Sequence, residues 1–135
     1  MSNDRPLLSI VVPAYNEERR LPTTLDTIIA YLRARDYPAE LVIVDDGSSD
    51  GTVQVVERFT DRYPGLRLIR NDHRGKAYTV RTGVLAAEGQ YVIFTDADLA
   101  VPIEETDKAL AALMEGHDMV IGSREAPGAR RYNEP

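Results

Sequence analysis

The sequence predicts an α/β fold in which helices cover both faces of a mostly parallel sheet. Short β-branched runs alternate with segments whose apolar residues recur at helical spacing. The short runs are nearly continuous in apolar residues, as in strands buried on both faces. With 135 residues, of which 43% are hydrophobic and 28% charged, the chain has the size and composition of one globular domain.

The first half of the chain predicts two strands and two helices. Apolar residues 7–12 form a predicted strand that Pro13 ends, and a helical pattern then runs from Leu21 to about residue 36. Residues 41–44 form the second predicted strand, which leads into a dense turn at 45–51. The second predicted helix covers 53–63 and ends at Pro64-Gly65.

The second half continues the alternation. Residues 66–70 predict a weaker strand that is expected near an edge of the sheet, followed by a helix over 76–87 between Gly75 and Gly89. A strand at 91–94, a helix at about 103–115 and a fifth strand at 119–122 complete the order βαβαβαβαβ. Right-handed crossovers place the loops after parallel strands along one edge of the sheet. A Rossmann-like arrangement is therefore expected, with the polar clusters after the strands facing one crevice.

Charge and composition exclude several classes of protein. A net charge of −6 and a pI of about 4.9 argue against a nucleic-acid binder, which would show a basic face. The absence of cysteine excludes disulfides and thiolate metal sites, and it fits the reducing cytoplasm in which we expect the protein. Residues 1–5 are polar and carry no apolar stretch of signal-peptide length, and the longest nearly apolar run, residues 7–14, is too short to span a bilayer.

The first polar cluster, residues 13–18, directly follows the first strand. Tyr15 can lay its ring on a nucleobase, and Glu17 can accept a hydrogen bond from a ribose hydroxyl. In the alternative interpretation, Asn16 caps the following helix and the two glutamates favour its positive end.

The second cluster, residues 45–52, contains the adjacent carboxylates Asp45 and Asp46. Neighbouring carboxylates repel each other, so they usually have a partner. A carboxylate here can accept from the N3–H of uracil or from the N1–H and amino group of guanine. An Asx-type turn with a helix N-cap explains Ser48, Ser49 and Asp50 equally well, but it does not explain both aspartates.

The third cluster, Thr95-Asp96-Ala97-Asp98, closes an apolar strand. Two carboxylates separated by one small residue can hold Mg²⁺ or Mn²⁺ against a diphosphate, and the ion would neutralise charge on a leaving nucleotide. The pattern alone is weak, and Asp98 can instead cap the segment that enters the fourth helix.

A fourth, basic cluster comprises Arg74 to Lys76, Arg81 and residues 122–124. Arg124 follows the fifth predicted strand, where a guanidinium suits a phosphate. Lys76 is a second candidate for phosphate binding, whereas Arg81 is better explained as a solvated surface cation.

Together these clusters resemble the family 2 glycosyltransferases. The matching segments are 11–18, 44–52, 75–76, 95–98 and 122–124, in the order and spacing of that family. Residues 96–99 with Pro102, and residues 122–124, are most similar to the polyprenyl-phosphate group, which includes the dolichyl-phosphate glucose and mannose synthases. The fold expected from this resemblance is the nucleotide-binding half of a nucleotide-diphospho-sugar transferase.

The resemblance also implies an activity and a set of site residues. It implies inverting transfer of a hexose from UDP-glucose or GDP-mannose to a lipid-phosphate or glycan acceptor, in particular a polyprenyl phosphate, with peripheral contact at the cytoplasmic face of the membrane. The implied nucleotide-sugar contacts are Pro13, Tyr15, Glu17, Asp45, Asp46, Lys76 and Asp96. Asp96 and Asp98 are the implied metal ligands, and Asp98 and Arg124 the implied catalytic residues.

The sequence departs from the family in two respects. Mannose synthases often carry a glutamine at the position of Ala100. Its absence here favours glucose as the sugar. Full catalytic domains of the family are also longer. Residues 1–135 are therefore expected to be the donor-binding part without the acceptor part, and an open sheet of this kind is expected to form homo-oligomers or to belong to a longer polypeptide.

Three other functions compete with this one. A module that binds a nucleotide sugar without turnover fits the short chain. A receiver-like signalling domain has its aspartate pair after the first strand, whereas here the pair follows the second. A nucleotidyltransferase would carry a Gly-rich loop after the first strand, where this chain has Tyr15-Asn16-Glu17.

Overall fold

In the part of the chain that the structure describes, four parallel strands form the sheet, in the order β3-β2-β1-β4. The computed structural model describes residues 5–116. Its elements are β1 (Leu8–Ala14), α1 (Leu21–Arg33), β2 (Ala39–Asp46), α2 (Thr52–Phe59), β3 (Leu66–Asn71), α3 (Lys76–Ala86), β4 (Tyr91–Phe94) and α4 (Glu105–Met114). The parallel α/β architecture is confirmed, with β3 at an edge as expected. The fifth predicted strand, 119–122, lies outside the described residues.

The two faces of the sheet have different coverings. Alternate residues of β1, including Leu8, Ile10 and Val12, pack in the main core with apolar residues of α1, α2 and α4. Val11 lies on the opposite face with a smaller apolar cluster under α3. Helix α3 reaches this face through Gly83, where an added Cβ would lie 2.4 Å from a methyl group of Val11. Helices therefore cover both faces, and one glycine sets how closely α3 approaches.

Strands β1 and β2 are longer than the sequence predicts. Strand β1 continues through Pro13 to Ala14, because beyond Val11 it is paired with β2 but no longer with β4. A proline is tolerated where a strand has a neighbour on one side only. Strand β2 includes Asp45 and Asp46, which were expected in the turn after it. These two carboxylates are therefore part of the sheet ladder, and this placement decides where each one points.

The predicted helices are present, but several of their ends differ. Helix α2 ends at Phe59 rather than at residue 63, and α4 begins at Glu105 rather than at residue 103. The interpretation of Asn16 as a helix cap is wrong, since α1 begins at Leu21 and the Asn16 side chain accepts a hydrogen bond from the N–H of Ser49. Within residues 5–116, no helix is both long enough and apolar enough to cross a membrane.

Candidate functional site

A cleft of about 460 Å³ opens at the edge of the sheet where the strands end. The loops after β1 and β4 and the start of α3 form most of its wall. Its lining residues are Pro13, Ala14, Tyr15, Glu17, Arg20, Asp46, His73, Gly75, Lys76, Thr79, Asp96, Ala97 and Asp98. The structure thus brings together seven of the site residues that the sequence predicts, namely Pro13, Tyr15, Glu17, Asp46, Lys76, Asp96 and Asp98. Asp45 does not line the cleft, and Arg124 lies outside the described residues.

Asp45 and Asp46 point to opposite faces of the sheet because successive residues of a strand alternate. Asp45 is 2% exposed, and its Oδ2 accepts the backbone N–H groups of Gly47 and Ser48 at 3.1 and 3.0 Å. Its other oxygen is buried without a hydrogen-bond partner among the described residues. Asp45 therefore closes the turn after β2, which is the structural role that the Asx-turn interpretation gives to this cluster.

Asp46 fastens the loop between β3 and α3 to the end of β2. The N–H of Arg74 donates to its Oδ1 at 2.7 Å, and the N–H of Gly75 donates to its Oδ2 at 3.1 Å. Burial alone would raise the pKa of this carboxyl group, but the two N–H bonds and the adjacent His73 outweigh burial and lower it. An ionised carboxylate at the cleft wall thus holds the loop that opens α3.

Tyr15 and His73 form a stacked aromatic pair in the lining of the cleft. Their ring centroids lie 4.3 Å apart with an interplanar angle of 23°. The sequence predicts the position of Tyr15, but sequence reasoning missed His73. The sequence signal for His73 is its place immediately before Arg74-Gly75-Lys76, the segment that contains the candidate phosphate-binding lysine.

The loops after β1 and β2 are joined by hydrogen bonds. The N–H of Asn16 donates to Ser48 Oγ at 2.8 Å, and the N–H of Glu17 donates to Thr52 Oγ1 at 2.8 Å. Glu17 also forms an ion pair with Arg20, with 3.4 Å between Glu17 Oε1 and Arg20 Nε. These contacts fix the backbone that carries Tyr15 and Glu17, so both side chains enter the cleft from a braced loop.

Asp96, Asp98 and Lys76 also line the cleft. Lys76 Nζ lies 2.5 Å from Asp96 Oδ1, and these two side chains are 57% and 43% exposed. Asp98 Oδ1 accepts the N–H of Ala100 at 3.0 Å. Asp98 therefore caps its own turn rather than α4, which begins seven residues later at Glu105.

Comparison with known proteins identifies the family. Residues 9–135 match the family model described as Glycosyl transferase family 2. The chain belongs to the family 2 glycosyltransferases. A dolichyl-phosphate beta-glucosyltransferase of Trichomonas vaginalis is 40% identical over 128 residues, which are 87% of this chain and 40% of that relative. This chain thus spans about two fifths of the length of the relative.

Solved structures with the same fold include complexes with nucleotide sugars. The mannosyltransferase PcManGT from Pyrobaculum calidifontis, in complex with GDP-Man and Mn²⁺, has a TM-score of 0.67 and 35% sequence identity over 86% of this chain and 34% of its own. Residues 1–349 of TarS from S. aureus, in complex with UDP-GlcNAc, give a TM-score of 0.63 and 29% identity over 82% of this chain and 31% of that one. The resemblance inferred from the motifs and the nucleotide-sugar transferase fold are both confirmed.

The side chains of this cleft supply only some of the ligands that a divalent cation needs. Within residues 5–116, no three His, Asp or Glu side chains converge on one point that could hold a metal. Asp96 and Asp98 both line the cleft, and carboxylate oxygens are suitable ligands for Mg²⁺ or Mn²⁺. The protein can thus supply two carboxylates, and an octahedral ion would need further oxygens from a ligand and from water.

Proposed function

We propose that this chain binds a nucleotide-diphosphate sugar in the cleft and serves as the donor-binding part of an inverting hexosyltransferase. The observation that carries this proposal is that one cleft is lined both by a stacked aromatic pair and by two carboxylates with a lysine. A nucleotide sugar combines a flat base with a diphosphate, which are the two groups that such a lining can bind. Membership of family 2 supports the same interpretation.

The base and the ribose are assigned to the part of the cleft around Tyr15. Tyr15 is 44% exposed, which leaves ring surface for a base, and Glu17 lines the same wall. Asp46 is assigned to this part as well, although its oxygens already hold two backbone N–H groups. Its effect on nucleotide binding is therefore expected to come mainly through the loop that it holds. For Asp45, which faces away from the cleft, we expect an effect only through the turn after β2.

The diphosphate is assigned to the start of α3 and the Asp96 turn. Gly75, Lys76 and Thr79 line the cleft where α3 begins, and a helix N-terminus favours an anion. Lys76 can donate to phosphate oxygens, and Mg²⁺ or Mn²⁺ held by Asp98 with Asp96 would offset charge that grows on the leaving diphosphate. Arg124 is proposed as a further phosphate contact from outside the described residues.

The reaction would be a single displacement at the anomeric carbon of the sugar. The acceptor oxygen forms a bond to C1 on one face while the bond from C1 to the diphosphate oxygen breaks on the other, which inverts the centre. A polyprenyl phosphate is the proposed acceptor because the relative from Trichomonas vaginalis is a dolichyl-phosphate beta-glucosyltransferase. The same relative favours glucose as the sugar, and UDP-glucose is the donor to test before GDP-mannose. Contact with the cytoplasmic face of a membrane would bring this acceptor to the cleft.

The metal assignment is tested by calorimetric titration of UDP and of GDP, each with and without Mn²⁺. If the ion bridges protein and diphosphate, each ligand raises the affinity of the other by the same factor. We expect this factor to be roughly tenfold or more in the wild-type chain, equivalent to about 1.4 kcal/mol, and to fall close to one in Asp98→Asn. Asparagine preserves the hydrogen bond from the N–H of Ala100, so the turn should survive.

Asp61→Asn is the matched control, since Asp61 is exposed and does not line the cleft. It removes the same charge and should keep the full dependence on Mn²⁺. An Asp98→Asn variant with wild-type coupling, or a wild-type chain with none, would remove metal binding from the proposal.

A module that binds a nucleotide sugar without turnover is the second candidate. A turnover assay with UDP-glucose and a polyprenyl phosphate separates the two functions. A binding module would bind UDP but would form no UDP from UDP-glucose.

A further inference from the structure

His73 connects the buried end of β2 with the exposed ring of Tyr15. On one side its Nδ1 lies 2.8 Å from Asp46 Oδ2 and 3.2 Å from the backbone oxygen of Asp46. On the other side its ring stacks on Tyr15. The side chain of His73 is nevertheless 58% exposed, so its position comes from these contacts and not from enclosure by the core.

Asp46 is a rigid anchor for this histidine. It is 4% exposed, it lies in the sheet register opposite Asn71, and it also holds the N–H groups of Arg74 and Gly75. The next residue, Gly47, has φ of +75°, and a Cβ there would lie 2.7 Å from the backbone nitrogen of His73. The glycine thus allows the histidine backbone to pack directly against the end of β2.

The partners of Nδ1 determine the tautomer of the ring. A carboxylate oxygen and a carbonyl oxygen are both acceptors, so Nδ1 must carry the proton. His73 is thereby fixed in orientation as well as in position. One face of its ring is presented to Tyr15 as a flat, fixed surface.

We propose that His73 positions Tyr15 for stacking on the nucleobase, which rests on the proposed function of the cleft. Tyr15 is half exposed and lies in a loop, so without a backing surface its ring would be distributed over several rotamers. Ordering it would then reduce the affinity for the nucleotide. The stack on His73 orders the ring before the ligand arrives, and Asp46 acts on the base through His73.

The test is UDP and GDP affinity in variants of the full 135-residue chain. His73→Ala removes the backing ring and should weaken binding of the nucleotide that the wild type prefers by roughly fivefold, within the range measured for aromatic pairs. His73→Phe preserves the ring without the Nδ1 proton and should recover most of that loss. His73→Asn preserves an N–H donor for Asp46 without the ring and should resemble His73→Ala. If His73 only closed the loop, His73→Asn should recover most of the lost affinity and His73→Phe should resemble His73→Ala.

A double-mutant cycle shows whether His73 acts through Tyr15. In a Tyr15→Ala background, His73→Ala should cause little further loss, because there is no ring left to position. Tyr78→Ala is the control for loss of an exposed aromatic ring, since Tyr78 lies on α3 and does not line the cleft. Equal effects of His73→Ala with and without Tyr15 would overturn the proposal.

NMR of the chain without nucleotide provides an independent readout. The sequence has two histidines, so the ring nitrogens of His73 can be assigned with His117→Gln. We expect the proton on Nδ1 of His73. We also expect ring-current shifts of the His73 signals, and these shifts should disappear in Tyr15→Ala. A wild-type chain that binds neither UDP nor GDP would overturn the proposed function together with this inference. A chain that binds nucleotide with unchanged affinity after His73→Ala would overturn this inference alone.

Discussion

The two pairs of aspartates at the edge of the sheet, one at the end of β2 and one after β4, have opposite surroundings. Asp45 and Asp46 are 2% and 4% exposed, and backbone N–H groups of nearby loops donate to both. Asp96 has a half-exposed side chain paired with Lys76, and Asp98 is exposed with one N–H bond from Ala100. The first pair is held by several main-chain N–H groups. In the second pair, Asp96 contacts a side chain that can move away, and Asp98 accepts a single main-chain N–H at an exposed site.

This difference indicates which carboxylates can change partners during a reaction. Removing Asp46 from its N–H donors would leave a buried carboxylate without those hydrogen bonds, which is costly. Removing Lys76 from Asp96 leaves both groups at a surface where water can replace the lost contact. The structure therefore assigns the buried pair to the scaffold of the cleft and leaves Asp96 and Asp98 available to a ligand.

The largest expected effect on stability is that of Asp46→Ala. The substitution leaves the N–H groups of Arg74 and Gly75 without their acceptor and releases His73. We expect the free energy of unfolding to fall by about 2 kcal/mol, within the range for hydrogen bonds to a charged group. Urea denaturation followed by circular dichroism measures it.

Asp98→Ala is the comparison variant in the other pair. It removes one N–H bond at an exposed site, so the loss should stay below about 1 kcal/mol. Equal losses in the two variants would contradict the division between scaffold and exchangeable carboxylates.

Apolar periodicity predicted the fold because most of the buried strand residues are apolar. Apart from Leu7, the runs at 7–12, 41–44 and 91–94 lie in the sheet, and the less apolar run at 66–70 lies at its edge. The ends of β1 and β2 could not be predicted, because their last residues are Pro13-Ala14 and Asp45-Asp46. Those residues have low strand propensity and are kept in the ladder by pairing with the neighbouring strand.

The candidate site was predictable as a set of loops but not as a set of contacts. Motif spacing brought Tyr15, Lys76, Asp96 and Asp98 to one cleft, since parallel strands end at one edge. Strand alternation, which separates Asp45 from Asp46, depends on where β2 ends and was therefore missed. His73 was missed because its importance comes from contacts with Tyr15 and Asp46, which lie far from it in the sequence.

An intermediate effect is expected in acid, where Asp46 should contribute to the loss of stability. Its folded pKa is lowered from the ordinary 3.8, so the unfolded chain binds more protons as pH falls. The contribution of Asp46 is thus complete above about pH 3.8 and is lost as pH falls through the lower folded value. Glu40 behaves in the same way from its ordinary 4.5, because bonds from Ser9, Glu88 and Arg67 outweigh its burial and lower its pKa.

Denaturation midpoints measured from about pH 5 to pH 2 test this contribution. Asp46→Asn should be less stable than the wild type at pH 5 and should lose less on acidification, with the Glu40 part remaining. The exposed variant Asp61→Asn should follow the wild-type curve. If Asp46→Asn and the wild type run parallel over the whole range, the carboxylate charge of Asp46 adds nothing to folding.

The smallest expected effect on stability is that of Lys76→Met. The ion pair between Lys76 and Asp96 is short, 2.5 Å, but both side chains are about half exposed, so the free energy of unfolding should change by less than about 0.5 kcal/mol. Its effect on ligands should be clear, because Lys76 occupies an oxygen of Asp96 that a cation would need. Without nucleotide, Lys76→Met should bind Mn²⁺ more tightly than the wild type, and with UDP it should lose affinity for the diphosphate. Electron paramagnetic resonance of Mn²⁺ measures the first change and calorimetry the second.

Lys108→Met is the matched control, since Lys108 makes a looser pair with Glu105 at 3.7 Å on α4, outside the cleft. Unchanged Mn²⁺ affinity in Lys76→Met would indicate that Asp96 is not a ligand of the ion, and the metal would then depend on Asp98 and the diphosphate alone.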